Sequence, residues 1–100
     1  MYFLSRHDGE LWMMRLGYQP ELLLRESEPI TGSAWYRSGN DVFYSTRHEV
    51  TALALDARDG RRQTLLATFD DIQGMTLGKK ELYVAGTRAG KTGIWKIVVE

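Results

Sequence analysis

Two short stretches place a guanidinium, an imidazole and a carboxylate side by side: Ser5-Arg6-His7-Asp8 and, forty-one residues later, Thr46-Arg47-His48-Glu49. A third, Thr87-Arg88-Ala89-Gly90, follows after another forty-one and keeps the hydroxyl and the arginine. Planar guanidinium groups grip carboxylates and phosphates bidentately. Arg6, His7, Arg47, His48 and Arg88 are therefore the candidate ligand-binding residues, for a protein or an anionic small molecule. The competing expectation is that the motif is a trace of duplication, with Arg6 paired to Asp8 and Arg47 to Glu49 across their own turns. His beside a carboxylate also suits proton transfer, which makes His48 and Glu49 the residues of an alternative hydrolase or lyase. A metal needs three or four converging ligands. His7, Asp8, His48 and Glu49 supply the types but no ligand spacing, and read as solvated turn residues. Ser5, Ser33, Ser38 and Ser45 lack the G-x-S-x-G nucleophile elbow. No catalytic, cofactor-binding or metal-binding residue is assigned.

Each motif sits between two apolar runs. Tyr2-Phe3-Leu4, Phe43-Tyr44 and Leu82-Tyr83-Val84 precede it, and Leu11-Trp12, Ala52-Leu53-Ala54-Leu55 and Ile94-Trp95-Lys96-Ile97 follow it. The pattern predicts one β-hairpin written three times. In order, strands are expected at Tyr2–Ser5, Leu11–Leu16, Leu22–Leu24, Ile30–Tyr36, Val42–Thr46, Val50–Ala57 and Gln63–Phe69. Three more follow: one from Asp71, one over Leu82–Ala85 and, after a glycine-rich loop, one over Ile94–Val99. Asp8-Gly9 predicts a type I′ turn, in which both central residues need positive φ. Turns are also expected at Gly17–Pro20, at Arg37–Asp41 and at Arg58–Arg61. Pro29 lacks a donor and breaks the chain before the fourth strand. Gly32 and Ala34 alternate with larger residues, as a crowded strand near an axis requires. No stretch carries a capped i, i+3, i+4, i+7 apolar stripe, so no helix is expected.

The 100 residues bound this to one domain, 43% hydrophobic and 26% charged, which is ordinary globular composition. Thirteen basic and thirteen acidic residues cancel, so no charge excess points to nucleic acid or an anionic membrane. The absence of Cys excludes a disulfide framework, a thiolate zinc site and a thiol nucleophile. Three apolar residues at the start fall short of a signal-peptide core, and no run reaches eighteen. For a complete chain, a cytoplasmic location is the expectation.

Four strands per unit of about 40–45 residues is the signature of a β-propeller blade. Units are expected over residues 1–28, 29–70 and 71–100. With blade strands labelled A to D from axis to rim, the chain reads B-C-D, A-B-C-D, A-B-C. The expected fold class is all-β, with antiparallel four-stranded blades that stay incomplete in one chain. Leu23-Leu24 and Leu65-Leu66 sit forty-two apart, as do Ile30 and Ile72.

Val42-Phe43-Tyr44-Ser45-Thr46, followed by Val50-Thr51-Ala52-Leu53-Ala54-Leu55-Asp56, resembles the YWTD type of six-bladed propeller. Ile72-Gln73-Gly74-Met75-Thr76-Leu77 with Glu81-Leu82-Tyr83 is similar to the strand A to strand B passage of that type and of the NHL type. The resemblance spans nearly the whole chain. Phe43-Tyr44-Ser45-Thr46 keeps the aromatic pair and lacks the tetrad's Asp. The resemblance implies a family that mostly binds proteins, peptides, glycans or nucleic acid, with a minority of enzymes.

Ala85-Gly86-Thr87-Arg88-Ala89-Gly90-Lys91-Thr92 ends like a phosphate loop, but Ala85 replaces the first Gly and a strand follows. It reads as a hairpin loop. Ser5-Arg6-His7-Asp8-Gly9-Glu10-Leu11-Trp12 comes within one position of an Asp-box turn, which is structural. Trp12, Trp35 and Trp95 read as blade packing, with Trp12 and Trp95 in equivalent places. Two and a half blades leave two sheet faces uncovered. The expected partner is a second copy in a homo-oligomer, a dimer being favoured, or the remainder of a longer propeller. A β-sandwich or barrel that hides its own faces is the alternative fold. The functional expectation is a non-catalytic binding or scaffold module that self-associates.

Overall fold

The computed structural model describes residues 2–15, 17–36, 41–55 and 62–99, with only the backbone of Tyr2, Phe3 and Arg15. The expected turns over 37–40 and 58–61 lie outside the described residues, as do Leu16, Asp56 and Ala57.

All ten described elements are strands, and all pair antiparallel. The N-terminal sheet comprises β1 (Tyr2–His7), β2 (Glu10–Arg15) and β3 (Glu21–Arg25). The middle sheet comprises β4 (Gly32–Trp35), β5 (Asp41–Ser45), β6 (Glu49–Ala54) and β7 (Gln63–Thr68). The C-terminal sheet comprises β8 (Asp71–Leu77), β9 (Glu81–Arg88) and β10 (Lys91–Val98). The all-β class and the division into antiparallel sheets of three, four and three strands are as expected. The last hairpin departs from expectation. Residues 86–93 are not a glycine-rich loop, because β9 and β10 pair through Gly86 and Gly93 up to a two-residue turn.

The sheets stack, and β5 of the middle one is buried on both faces. Strand side chains alternate between faces, and β5 is apolar at consecutive positions. Val42 and Tyr44 face the N-terminal sheet with Leu11, Leu23, Leu24, Ile30 and Leu53. Phe43 faces the C-terminal sheet with Val50, Phe69, Ile72, Leu82 and Val84. Each such fully buried side chain stabilises the fold by roughly 1.5–3 kcal/mol. Strands β4 and β8 lie against each other, and a Cβ on Gly32 would come 2.8 Å from that of Met75. That is the crowding expected of Gly32.

Hairpin loops hold the links between sheets. Glu26 N donates to Gly9 O (2.7 Å) and Ile30 N to Asp8 O (2.6 Å). One sheet on, Phe69 N donates to His48 O (2.7 Å) and Ile72 N to Arg47 O (2.6 Å). These bonds equate Asp8-Gly9 with Arg47-His48. Strand register agrees. β2–β3 shifts between Leu11 and Trp12, and β6–β7 shifts between Val50 and Thr51, one β-bulge at matching places. The loop of the third hairpin is Ala89-Gly90. From residue 8 to 47 is 39 residues and from 47 to 89 is 42, so the loops do not follow the forty-one spacing of the motif. By the same register Leu23 corresponds to Leu66, forty-three residues on.

Turn chemistry also departs from expectation. Asp8 has φ 52° while Gly9 lies outside the left-handed region. The two positive φ values of a type I′ turn occur instead at Ala89 (52°) and Gly90 (77°). Gly9 is required for space: a Cβ there would strike the Glu26 carbonyl. Gly93 has nothing within 4 Å of that position. Gly9→Ala is expected to destabilise by about 1–3 kcal/mol through overpacking, and Gly93→Ala by no more than about 0.5 kcal/mol. Urea unfolding of the two variants checks both values.

Candidate functional site

The candidate residues divide between two corners, each formed by a hairpin loop and the link it carries. At the first, Arg6 lies within β1, opposite Leu11, and its Nη1 donates to Ile30 O at 3.4 Å. His7, the last residue of β1, is 4.0 Å from Asp8 and well exposed. The side chain beside Asp8 is thus that of His7, not of Arg6 as expected.

The second corner gathers more. Arg47 Nε donates to Asp71 Oδ1 at 3.1 Å, replacing the expected pair with Glu49. His48 Nδ1 is 3.4 Å from Phe69 O. The Arg88 guanidinium lies 5.6 Å from the Phe69 ring centroid, a cation–π contact. Gly90 N donates to Asp70 Oδ2 at 3.1 Å. Phe69 and its two aspartates therefore bring Arg47, His48 and Arg88 to one place. Register separates the three arginines in role. Arg6 is inside a strand, Arg47 is in the loop, and Arg88 is the strand residue before the loop. Arg47, Arg88, Asp70 and Asp71 gather here, so the formal charges of the corner cancel.

His48 and Glu49 are both exposed. Among the described residues no three His, Asp or Glu side chains converge on a common metal position. No helix among the described residues is long and apolar enough to cross a membrane.

Elsewhere, a depression lies on each end face of the stack. The larger, about 400 Å³, is on the outer face of the N-terminal sheet, lined by Ser5, His7, Glu10, Trp12, Met14 and Pro20. Glu10 accepts from Trp12 Nε1 (3.2 Å) and forms an ion pair with Arg25 (2.8 Å). These bonds, Trp12's first, hold its carboxyl below the usual range. The smaller, about 190 Å³, is on the outer face of the C-terminal sheet among Gly74, Thr76, Tyr83, Ala85 and Ile94. Two uncovered faces are expected from the sequence, but not which side chains line them. Their signal was the alternation of Trp12 and Met14 with Leu11 and Met13. Trp12 and Trp95 are not equivalent: Trp12 lines the open face, while Trp95 packs edge-on to Phe69 (6.2 Å). Trp95 Nε1 is buried without a partner among the described residues.

Among the described residues Tyr44 is a buried titratable group, 2% exposed, and its hydroxyl donates to Glu26 Oε1 at 2.7 Å. Burial first, then Glu26, pushes the Tyr44 hydroxyl well above its ordinary value. Compared with known proteins, the chain matches no family model, and no curated protein matches it.

The folded state keeps the Tyr44 proton at pH values where the unfolded chain, ionising near pH 10, has released it. The stability so conferred is complete below about pH 10 and is lost as pH rises through the folded value. Tyr44→Phe is expected to cost about 1 kcal/mol at pH 7 by removing one hydrogen bond. It should also flatten the decline above about pH 10. Urea melts across pH 7–11 measure both effects.

Proposed function

We propose that the chain is a non-catalytic binding and scaffolding module of β-propeller type, akin to the YWTD and NHL propellers. In this reading its three sheets are successive blades, and copies associate to complete a ring. One observation carries the proposal: β5 of the middle sheet is buried on both faces, while the end sheets expose apolar side chains outward. Ile94 is 70% and Val98 67% exposed on one end, and Met14 40% on the other. A blade is stable between two neighbours, and adjacent apolar side chains left open mark an association surface. The recurring loop-to-link hydrogen bonds and matching bulges support reading the sheets as repeated units. Ligand, in this proposal, engages the corner of Arg47, His48 and Arg88, where protein carboxylates or a small anion compete with Asp71 for the Arg47 guanidinium and meet Arg88 beside it.

Light scattering at tens of micromolar tests association. A mass near 23 kDa, twice the 11.5 kDa chain, is expected, and 11.5 kDa contradicts it. Phosphate tests the corner. At ten times its dissociation constant it should raise the melting temperature by several degrees. The double variant Arg47→Ala, Arg88→Ala should abolish that rise. A rise that persists in the variant removes the corner as the binding site.

A further inference from the structure

We infer that the two end faces are made for each other. The outer face of the C-terminal sheet in one copy docks on the outer face of the N-terminal sheet in a second copy, head to tail. This rests on the self-association proposed above and adds the partner surface and its register.

The argument starts from the second strand of each hairpin. Counting from the loops, Met13, Ala52 and Ile94 occupy one position, and Met14, Leu53 and Trp95 the next. In the junction of the N-terminal and middle sheets, Met13 and Leu53 belong to one apolar cluster. In the junction of the middle and C-terminal sheets, Ala52 and Trp95 belong to the next. The same two positions meet each time, the first from the sheet earlier in the chain and the second from the later one. Within one chain, two residues at these positions lack their counterpart, Ile94 and Met14. A third junction built by the same rule brings Ile94 of one copy to Met14 of another.

The first strand of each hairpin obeys the same rule. Leu4 and Phe43 point toward the following sheet in their own clusters, and their counterpart Ala85 lies in the depression on the open C-terminal face. Both depressions flank the proposed contact. Trp12, Met14 and Pro20 line one, and Tyr83, Ala85 and Ile94 the other, so each face offers a recess and a protruding apolar side chain. The contact is heterologous, and such contacts form a ring when the rotation closes. Each chain brings three sheets. Two copies make six, inside the four-to-eight range of propeller rings, and three make nine, outside it. The second copy therefore contributes two identical junctions.

Because the chain has no cysteine, the register can be tested with a short bis-maleimide linker. The variants are Met14→Cys, Ile94→Cys and both together; each site lies on an outward face, and circular dichroism checks that the fold is kept. The double variant should give a covalent species of twice the chain mass, and neither single variant should. Cross-linking of Ile94→Cys alone would mean that like faces meet, and overturns the inference. So does absence of cross-linking in the double variant when light scattering shows the untreated protein to be a dimer. A monomer by light scattering removes the association reading itself. As an independent check, Ile94→Glu or Met14→Glu alone should each return the dimer to 11.5 kDa. Persistence of the dimer in either variant counts against the head-to-tail register.

Discussion

The structure depends on one constraint: an antiparallel sheet with apolar side chains on both faces is stable only between two other layers. β5 states the constraint in full. Val42, Phe43, Tyr44 and Ser45 are buried in succession, so neither face can meet water. The N-terminal sheet satisfies one side and the C-terminal sheet the other. Those flanking sheets then inherit the requirement, and each meets it on its inner face alone. The elongated stack, 44 Å by 28 Å by 26 Å, is the form taken by a chain that has filled its middle and left both ends open.

Backbone hydrogen bonds tie neighbouring layers in register, and the Tyr44–Glu26 and Arg47–Asp71 bonds add side-chain links. Each of the first two hairpin loops offers its carbonyls to the link that follows, so a loop and the entry to the next sheet are one unit. This explains why Gly9 has no room for a Cβ although its φ is ordinary. It also explains the arrangement of the cationic corner. Arg47 and His48 are the loop that carries the link, and Phe69, Asp70 and Asp71 are the link itself. The pairing of Arg47 with Asp71 and the stacking of Arg88 on Phe69 follow from that geometry, and the same side chains are then presented to solvent.

The strand count, order and antiparallel pairing were legible because period-two apolar runs separated by turn residues carry them directly. Strand ends were less so. β9 and β10 run through Gly86 and Gly93, where sequence suggested a loop, because pairing across a two-residue turn outweighs the weak strand preference of glycine. The corner was half legible. Residue types at forty-one spacing drew attention to Arg6, Arg47 and Arg88, yet the loops are 39 and 42 apart, and the three arginines hold different places. A similarity of letters survives where a strand lengthens at one end, whereas hydrogen-bond register does not slide. That two faces would stay uncovered was legible from the strand count, but their lining by Trp12 and Ile94 was not, because an apolar side chain looks the same in sequence whether it packs inside the chain or lies exposed.

The central claim is that the middle sheet is complete within one chain and the end sheets are not. Amide hydrogen exchange followed strand by strand as a function of protein concentration addresses it most directly. The account predicts that protection of β5 and β6 stays constant, while protection of β9, β10, β1 and β2 rises as the concentration is increased. Equal, concentration-independent protection in all three sheets would contradict it.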